Sequence, residues 1–110
     1  MSQFWPVPVE ITGKVKVNGV WGGTRIIDEN RVLIFLSQNS GNVHENEHIW
    51  YVVPGSWVDF KAIIGNGIIE LYINNSLIKS VNADTTGNIQ IWGGSTANPV
   101  SLSDVKIKAL

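Results

Sequence analysis

Cysteine is absent from the 110 residues, which rules out disulfides and thiolate metal ligands and leaves the redox compartment open. Charge is scarce as well: 15% of the residues are charged, against about 25% in an ordinary soluble domain. The surface must then be covered by Ser, Thr, Asn, Gln and Gly, as in extracellular or virion-associated β-proteins, and that is the expected location. Six lysines and two arginines are scattered along a chain of net charge −1. Nucleic-acid binding depends on clustered cations that release counterions, so no nucleic-acid partner is expected. No stretch approaches the ~18 apolar residues of a membrane span, so no membrane insertion is expected either. The N-terminal ten residues hold no apolar run of signal-peptide length. The chain therefore reads as an intracellular protein, or as a domain or virion part with no signal peptide of its own.

Helical periodicity is also missing. Apolar residues alternate with polar ones, and Gly or Asn clusters interrupt them every eight to twelve residues, the pattern of a sandwich or barrel. The expected fold is all-β: a single antiparallel β-sandwich over residues 1–110, compact and jelly-roll-like, with about nine to ten short strands. Strands are expected near 7–11, 14–18, 24–27, 31–36, 49–53, 57–64, 67–73, 77–81, 88–92 and 103–108. Their inward residues should be Val15, Val17, Val32, Ile34, Val58, Phe60, Ala62, Ile69, Leu71, Ile89, Ile91, Val105 and Ile107.

The centre of the chain allows a register. A type II′ turn at Gly65-Asn66 sets Ala62 opposite Ile69, Phe60 opposite Leu71 and Lys61 opposite Glu70. A type I′ turn at Asn74-Asn75 sets Ile73 opposite Ser76 and Glu70 opposite Lys79, placing Glu70 between two lysines.

The stretch from Gly55-Ser-Trp-Val-Asp-Phe to Leu71-Tyr-Ile-Asn-Asn, with Ile89-Gln-Ile-Trp-Gly-Gly and Leu102-Ser-Asp-Val-Lys-Ile, resembles the laminin-G and concanavalin A-like lectin superfamily. The likeness covers residues 55–108. It implies a jelly-roll sandwich and a carbohydrate ligand, in a version shorter than most members, with Asn75 where glycine is common. The first half, Ile11-Thr-Gly-Lys-Val-Lys-Val-Asn-Gly-Val and Arg31-Val-Leu-Ile-Phe, looks like small immunoglobulin-like modules of bacterial surface and phage tail proteins.

No catalytic machinery emerges from the residues. His44-Glu-Asn-Glu-His48 matches the zinc motif H-E-x-x-H, which works only on a helix that places both imidazoles on one face. Here Ser40-Gly-Asn precedes it and Ile49-Trp-Tyr-Val-Val follows, so a polar loop and no metal site are expected. A nucleophilic triad has no cysteine to use and no serine in an elbow. Trp21-Gly-Gly-Thr and Trp92-Gly-Gly-Ser precede no helix, so they are bulges or turns rather than phosphate cradles.

Five tryptophans remain to be explained. Alternation turns Trp57 and Tyr72 away from Phe60 and Leu71, and Trp92 away from Ile89 and Ile91. One outward face bearing Trp57, Tyr72 and Trp92, with Asn74, Gln90 and Asp59 near, would offer rings for sugar C–H faces and polar groups for hydroxyls. The leading expectation is a non-catalytic, cofactor-free module that binds a cell-surface glycan or polysaccharide, in a cell-surface or phage-tail setting. The alternative is a structural module of a tail fibre or virion whose aromatics pack between copies, a homo-oligomer and a trimer in a fibre. A glycoside or zinc hydrolase ranks third.

Overall fold

Alternating apolar and polar side chains suit a strand buried on one face. Every such run is a strand in the computed structural model, which describes residues 7–17, 23–29, 31–37, 48–85, 88–92 and 100–110. The described residues form nine strands: β1 (Val9–Val17), β2 (Gly23–Asp28), β3 (Arg31–Ser37), β4 (Ile49–Val52), β5 (Val58–Gly65), β6 (Ile68–Ile73), β7 (Ser76–Asn82), β8 (Ile89–Trp92) and β9 (Val100–Ala109). They make a β-sandwich of two sheets, ordered β7-β6-β5-β1-β9 and β4-β3-β2-β8. All ladders are antiparallel except β3–β4, which is parallel. One core cluster includes residues of both sheets, among them Ile11, Val15, Phe60 and Leu71 from the first and Ile26, Ile34, Leu36 and Ile89 from the second.

Residues 7–11 and 14–18, expected as two strands, are one. Gly13 does not break β1; it makes room. A Cβ at Gly13 would lie 3.1 Å from both Phe60 Cε1 and Val105 Cγ2, so the missing side chain is what lets the Phe60 ring pack across the strand. Most of the expected core is buried, with three corrections. Val32 and Ile107 are half-buried, and Val105 is 37% exposed. Val105 and Ile107 belong to an edge strand, and a bulge opposite Gly13 shifts the β1–β9 register there, with Asp104 at φ 56°. In exchange Leu33 is buried, beside the irregularity that shifts the β2–β3 register.

The β5–β6 hairpin turns at Asn66-Gly67, not Gly65-Asn66. Both turn residues have positive φ (56° and 78°), as a type I′ turn requires. Gly65 instead pairs with Ile68, Ala62 with Leu71, Phe60 with Ile73 and Lys61 with Tyr72. The slip from the expected register is two residues, so every side chain keeps its face. Gly65 is needed for a different reason, since a Cβ there would come within 2.5 Å of Pro8 Cα. The second turn lies where the asparagines place it, with Asn74 and Asn75 at φ 50° and 69° and Ile73 opposite Ser76. A register shift between Leu71 and Tyr72 then sets Glu70 against Ser80, so Glu70 lies between Ile63 and Ser80 and not between two lysines. The same shift sets exposed Lys79 opposite the inward Leu71, a charge on the inner side of an edge that discourages further strands from adding.

Three polar side chains, Thr24, Asp28 and Ser37, are buried in the second sheet. The Asp28 carboxylate is fully buried and accepts a 2.9 Å hydrogen bond from Arg31 Nη2, which also donates to the Asp84 carbonyl beyond β7. Asn88 Nδ2 donates to Glu29 Oε1 at 2.9 Å. These bonds tie the β2–β3 turn to the connection leaving the first sheet. Thr24, 1% exposed, has no hydrogen-bond partner for its hydroxyl.

Candidate functional site

The expected ligand face is split between the two sheets. Asp59 and Tyr72 alternate with inward Val58, Phe60, Leu71 and Ile73, so they stand on the outer face of the five-stranded sheet, and Trp57 leads into the same strand. Gln90 and Trp92 alternate with inward Ile89 and Ile91, which puts them on the outer face of the four-stranded sheet, across the core. Trp57, Tyr72, Asp59 and Asn74 are brought together; Trp92 and Gln90 are not among them. Parity along each strand is a local property, whereas the sheet a strand joins is not.

On the first face, backbone pairing sets Asp59 opposite Lys14 of β1, and Lys14 opposite Ser103 of β9. One row further, Thr12 faces Lys61, which faces Tyr72. The Lys61 ammonium lies 4.4 Å from the centre of the Tyr72 ring, a cation–π contact that occupies one face of that ring. Asn74 is bonded to the backbone of β5. Its Oδ1 accepts from the Asp59 N–H at 3.0 Å, and its own N–H donates to the Asp59 carbonyl at 2.9 Å. Trp57 is the open ring, 48% exposed. A shallow cavity of about 230 Å³ runs over Thr12, Lys14, Asp59, Lys61, Tyr72 and Asn75 to Asp104. A second, about 320 Å³, lies among Lys14, Trp57, Ser103 and Asp104. Sharing Lys14 and Asp104, the two form one groove. Thr12, Lys14, Lys61, Asn75, Ser103 and Asp104 went unrecognised from the sequence. Alternation with Ile11 and Val15 puts Thr12 and Lys14 on an outer face, but nothing local says that β5 and β9 are their neighbours.

The second face is built differently. Its register runs Trp92, Arg25, Phe35, Trp50 across β8, β2, β3 and β4. The Arg25 guanidinium carbon lies 4.4 Å over the Phe35 ring, and Phe35 stacks on Trp50 with centroids 6.5 Å apart at 20°. Trp50 Nε1 donates to Ser37 Oγ at 2.8 Å. Phe35 is only 3% exposed although it belongs to the outer row. A Cβ at Gly23 would collide with its ring, so this glycine is where the ring rests. Trp92, at the end of the row, is 49% exposed.

Of the H-E-x-x-H match, His44, Glu45, Asn46 and Glu47 lie outside the described residues, as do Trp21, Gly22, Gly93 and Gly94 of the tryptophan–glycine echo. His48 is half-buried, its Nε2 has no hydrogen-bond partner, and β4 begins at the next residue. Among the described residues no three His, Cys, Asp or Glu side chains stand close enough together to hold a metal ion. No protein-family model matches the chain, and no curated protein matches it either.

Proposed function

We propose that this domain is a non-catalytic carbohydrate-binding module, working at a cell surface or on a virion, and that its binding site is the groove on the outer face of the five-stranded sheet. The observation that carries this reading is the open Trp57 ring at one end of a groove lined by both hydrogen-bond donors and acceptors. A pyranose has one apolar C–H face and a rim of hydroxyls. Indole covers the first; Asp59, Asp104, Ser103, Thr12, Asn75 and the lysines answer the second. The groove is shallow, so each site binds weakly and useful attachment needs several copies held together. A glycan-array screen followed by tryptophan-fluorescence titration tests the reading. Trp57→Ala should abolish binding without lowering the melting temperature. Full retention of binding in that variant refutes the proposed site.

A second reading, assembly with further copies of a fibre or virion protein, is favoured by the other face. There exposed Trp92 ends the row that runs through Arg25, Phe35 and Trp50, and exposed Val52 stands in the next row opposite Ser37; exposed apolar groups of this kind suit a protein contact. Sedimentation of wild type and Trp92→Ala separates the two: an oligomer that dissociates in the variant supports assembly.

A further inference from the structure

The lysines that are scattered in the sequence are gathered by the fold. Lys14 and Lys16 of β1, Lys61 of β5, and Lys106 and Lys108 of β9 all stand on the outer face of the five-stranded sheet, opposite in parity to Ile11, Val15, Val17 and Ala62. Only Lys79 among the six stands elsewhere. Same-face neighbours are roughly 7 Å apart along a strand; Lys14 and Lys16 face Ser103 and Ser101, and Lys106 and Lys108 face Thr12 and Glu10, so the four lysines form a diagonal band that crosses from β1 to β9. Lys14 lines both halves of the groove, and Trp57 lies beside it. Among the described residues, the acids of this face are Glu10, Asp59, Glu70 and Asp104. Glu10 and Glu70 lie beyond the Lys61 row, at the end of the sheet away from Trp57, where Glu10 pairs with Lys108. Among the described residues, five lysines stand against four acids on this face, an excess of positive charge on a chain whose net charge is −1.

We propose that the ligand of the Trp57 groove is an acidic polysaccharide, a chain of uronic acids, rather than a neutral glycan. This rests on the carbohydrate reading above and narrows it. One sugar ring lies on Trp57, its carboxylate meets Lys14 and Lys16, and Asp59 and Asp104 accept hydroxyl hydrogens. The repeated carboxylates of the chain match the repeated lysines of the band. Charge-assisted hydrogen bonds are about twice as strong as neutral ones, so an acidic chain gains more here than a neutral chain of the same shape.

The test is calorimetric titration with polygalacturonate, with a neutral β-1,4-glucan of similar length, and with a single-stranded oligonucleotide, at about 50 mM and about 500 mM NaCl. Polygalacturonate should bind in preference to both others, and its affinity should fall at the higher salt. Lys14→Gln with Lys16→Gln should weaken it roughly tenfold, while Lys79→Gln, on the other side of the sheet edge, should leave it unchanged. Salt-insensitive binding of the neutral glucan, as tight as that of polygalacturonate, overturns the acidic ligand and leaves the carbohydrate reading standing. Tighter binding of the oligonucleotide overturns it in favour of a nucleic-acid partner. Binding of none of the three overturns the acidic ligand, and an empty glycan array then removes the carbohydrate reading as well. Unchanged polygalacturonate affinity in the double variant, with its melting temperature intact, overturns the lysine assignment.

Discussion

The two outer faces of this sandwich use the same residue types for different ends. On the four-stranded sheet, Phe35, Trp50 and Arg25 stack on one another, and the Trp50 N–H is bonded to Ser37. On the five-stranded sheet, the Tyr72 ring is covered on one side by Lys61, but Trp57 has no ring against it among the described residues and stands beside a polar groove. A row of aromatics facing outward is therefore not in itself a binding surface. What counts is whether each ring's faces are already occupied.

That contrast can be broken by substitution, beginning with the largest expected effect. Phe35→Ala should cost roughly 3–5 kcal/mol, as much as Phe60→Ala in the core, because both rings are 3% exposed and both removals leave a cavity. Equilibrium denaturation in urea measures both, and a loss below about 1 kcal/mol for Phe35 would mean its row is surface after all. Arg31→Ala should come next at about 3 kcal/mol, since it takes the guanidinium from a fully buried Asp28 carboxylate. Its own partial exposure keeps the effect from being larger. The midpoint of guanidinium-induced unfolding reports it.

Thr24→Val should move stability the other way, by about 1 kcal/mol, because it replaces a buried hydroxyl without a partner by a methyl of the same shape. A lower melting temperature in calorimetry would show that this hydroxyl is in use. Trp57→Ala should have the smallest effect, within about 0.5 kcal/mol in either direction. Paired with Phe35→Ala, it sharpens the comparison: one outward ring matters to folding, and the other only to a ligand. A Trp57 variant that unfolds several degrees early would erase the distinction.

Much of the fold was legible residue by residue. The Asn74-Asn75 turn follows from the tolerance of asparagine for positive φ, and the inward set Val58, Phe60, Ala62, Ile69 and Leu71 follows from period-two alternation. The β5–β6 register differs by two residues from the one expected because Gly65-Asn66-Gly67 offers two adjacent turns. Asn66-Gly67 wins, since type I′ matches strand twist with asparagine and glycine in the turn, while Gly65 is needed where Pro8 comes close. The candidate site was half legible. Trp57, Asp59 and Tyr72 share strands joined by a short turn, so their common face could be worked out from spacing. Lys14 and Ser103 reach the same groove from 45 residues before and 44 residues after Asp59 along the chain.

By itself, then, this sequence determined the alternating runs, most of their inward residues and the Asn74-Asn75 turn of the β5–β6–β7 meander. These depend on sterics and burial over a few neighbouring residues. Only the tertiary structure decided that β8 lies beside β2 and not beside β5, which separates Trp92 from Trp57 and Tyr72. It also decided that β1 runs between β5 and β9, which collects five distant lysines on one face. The physical reason is that a strand's pattern states how much of it must be buried, and any apolar face of matching length could bury it. Which partner does so is settled by packing the whole core at once.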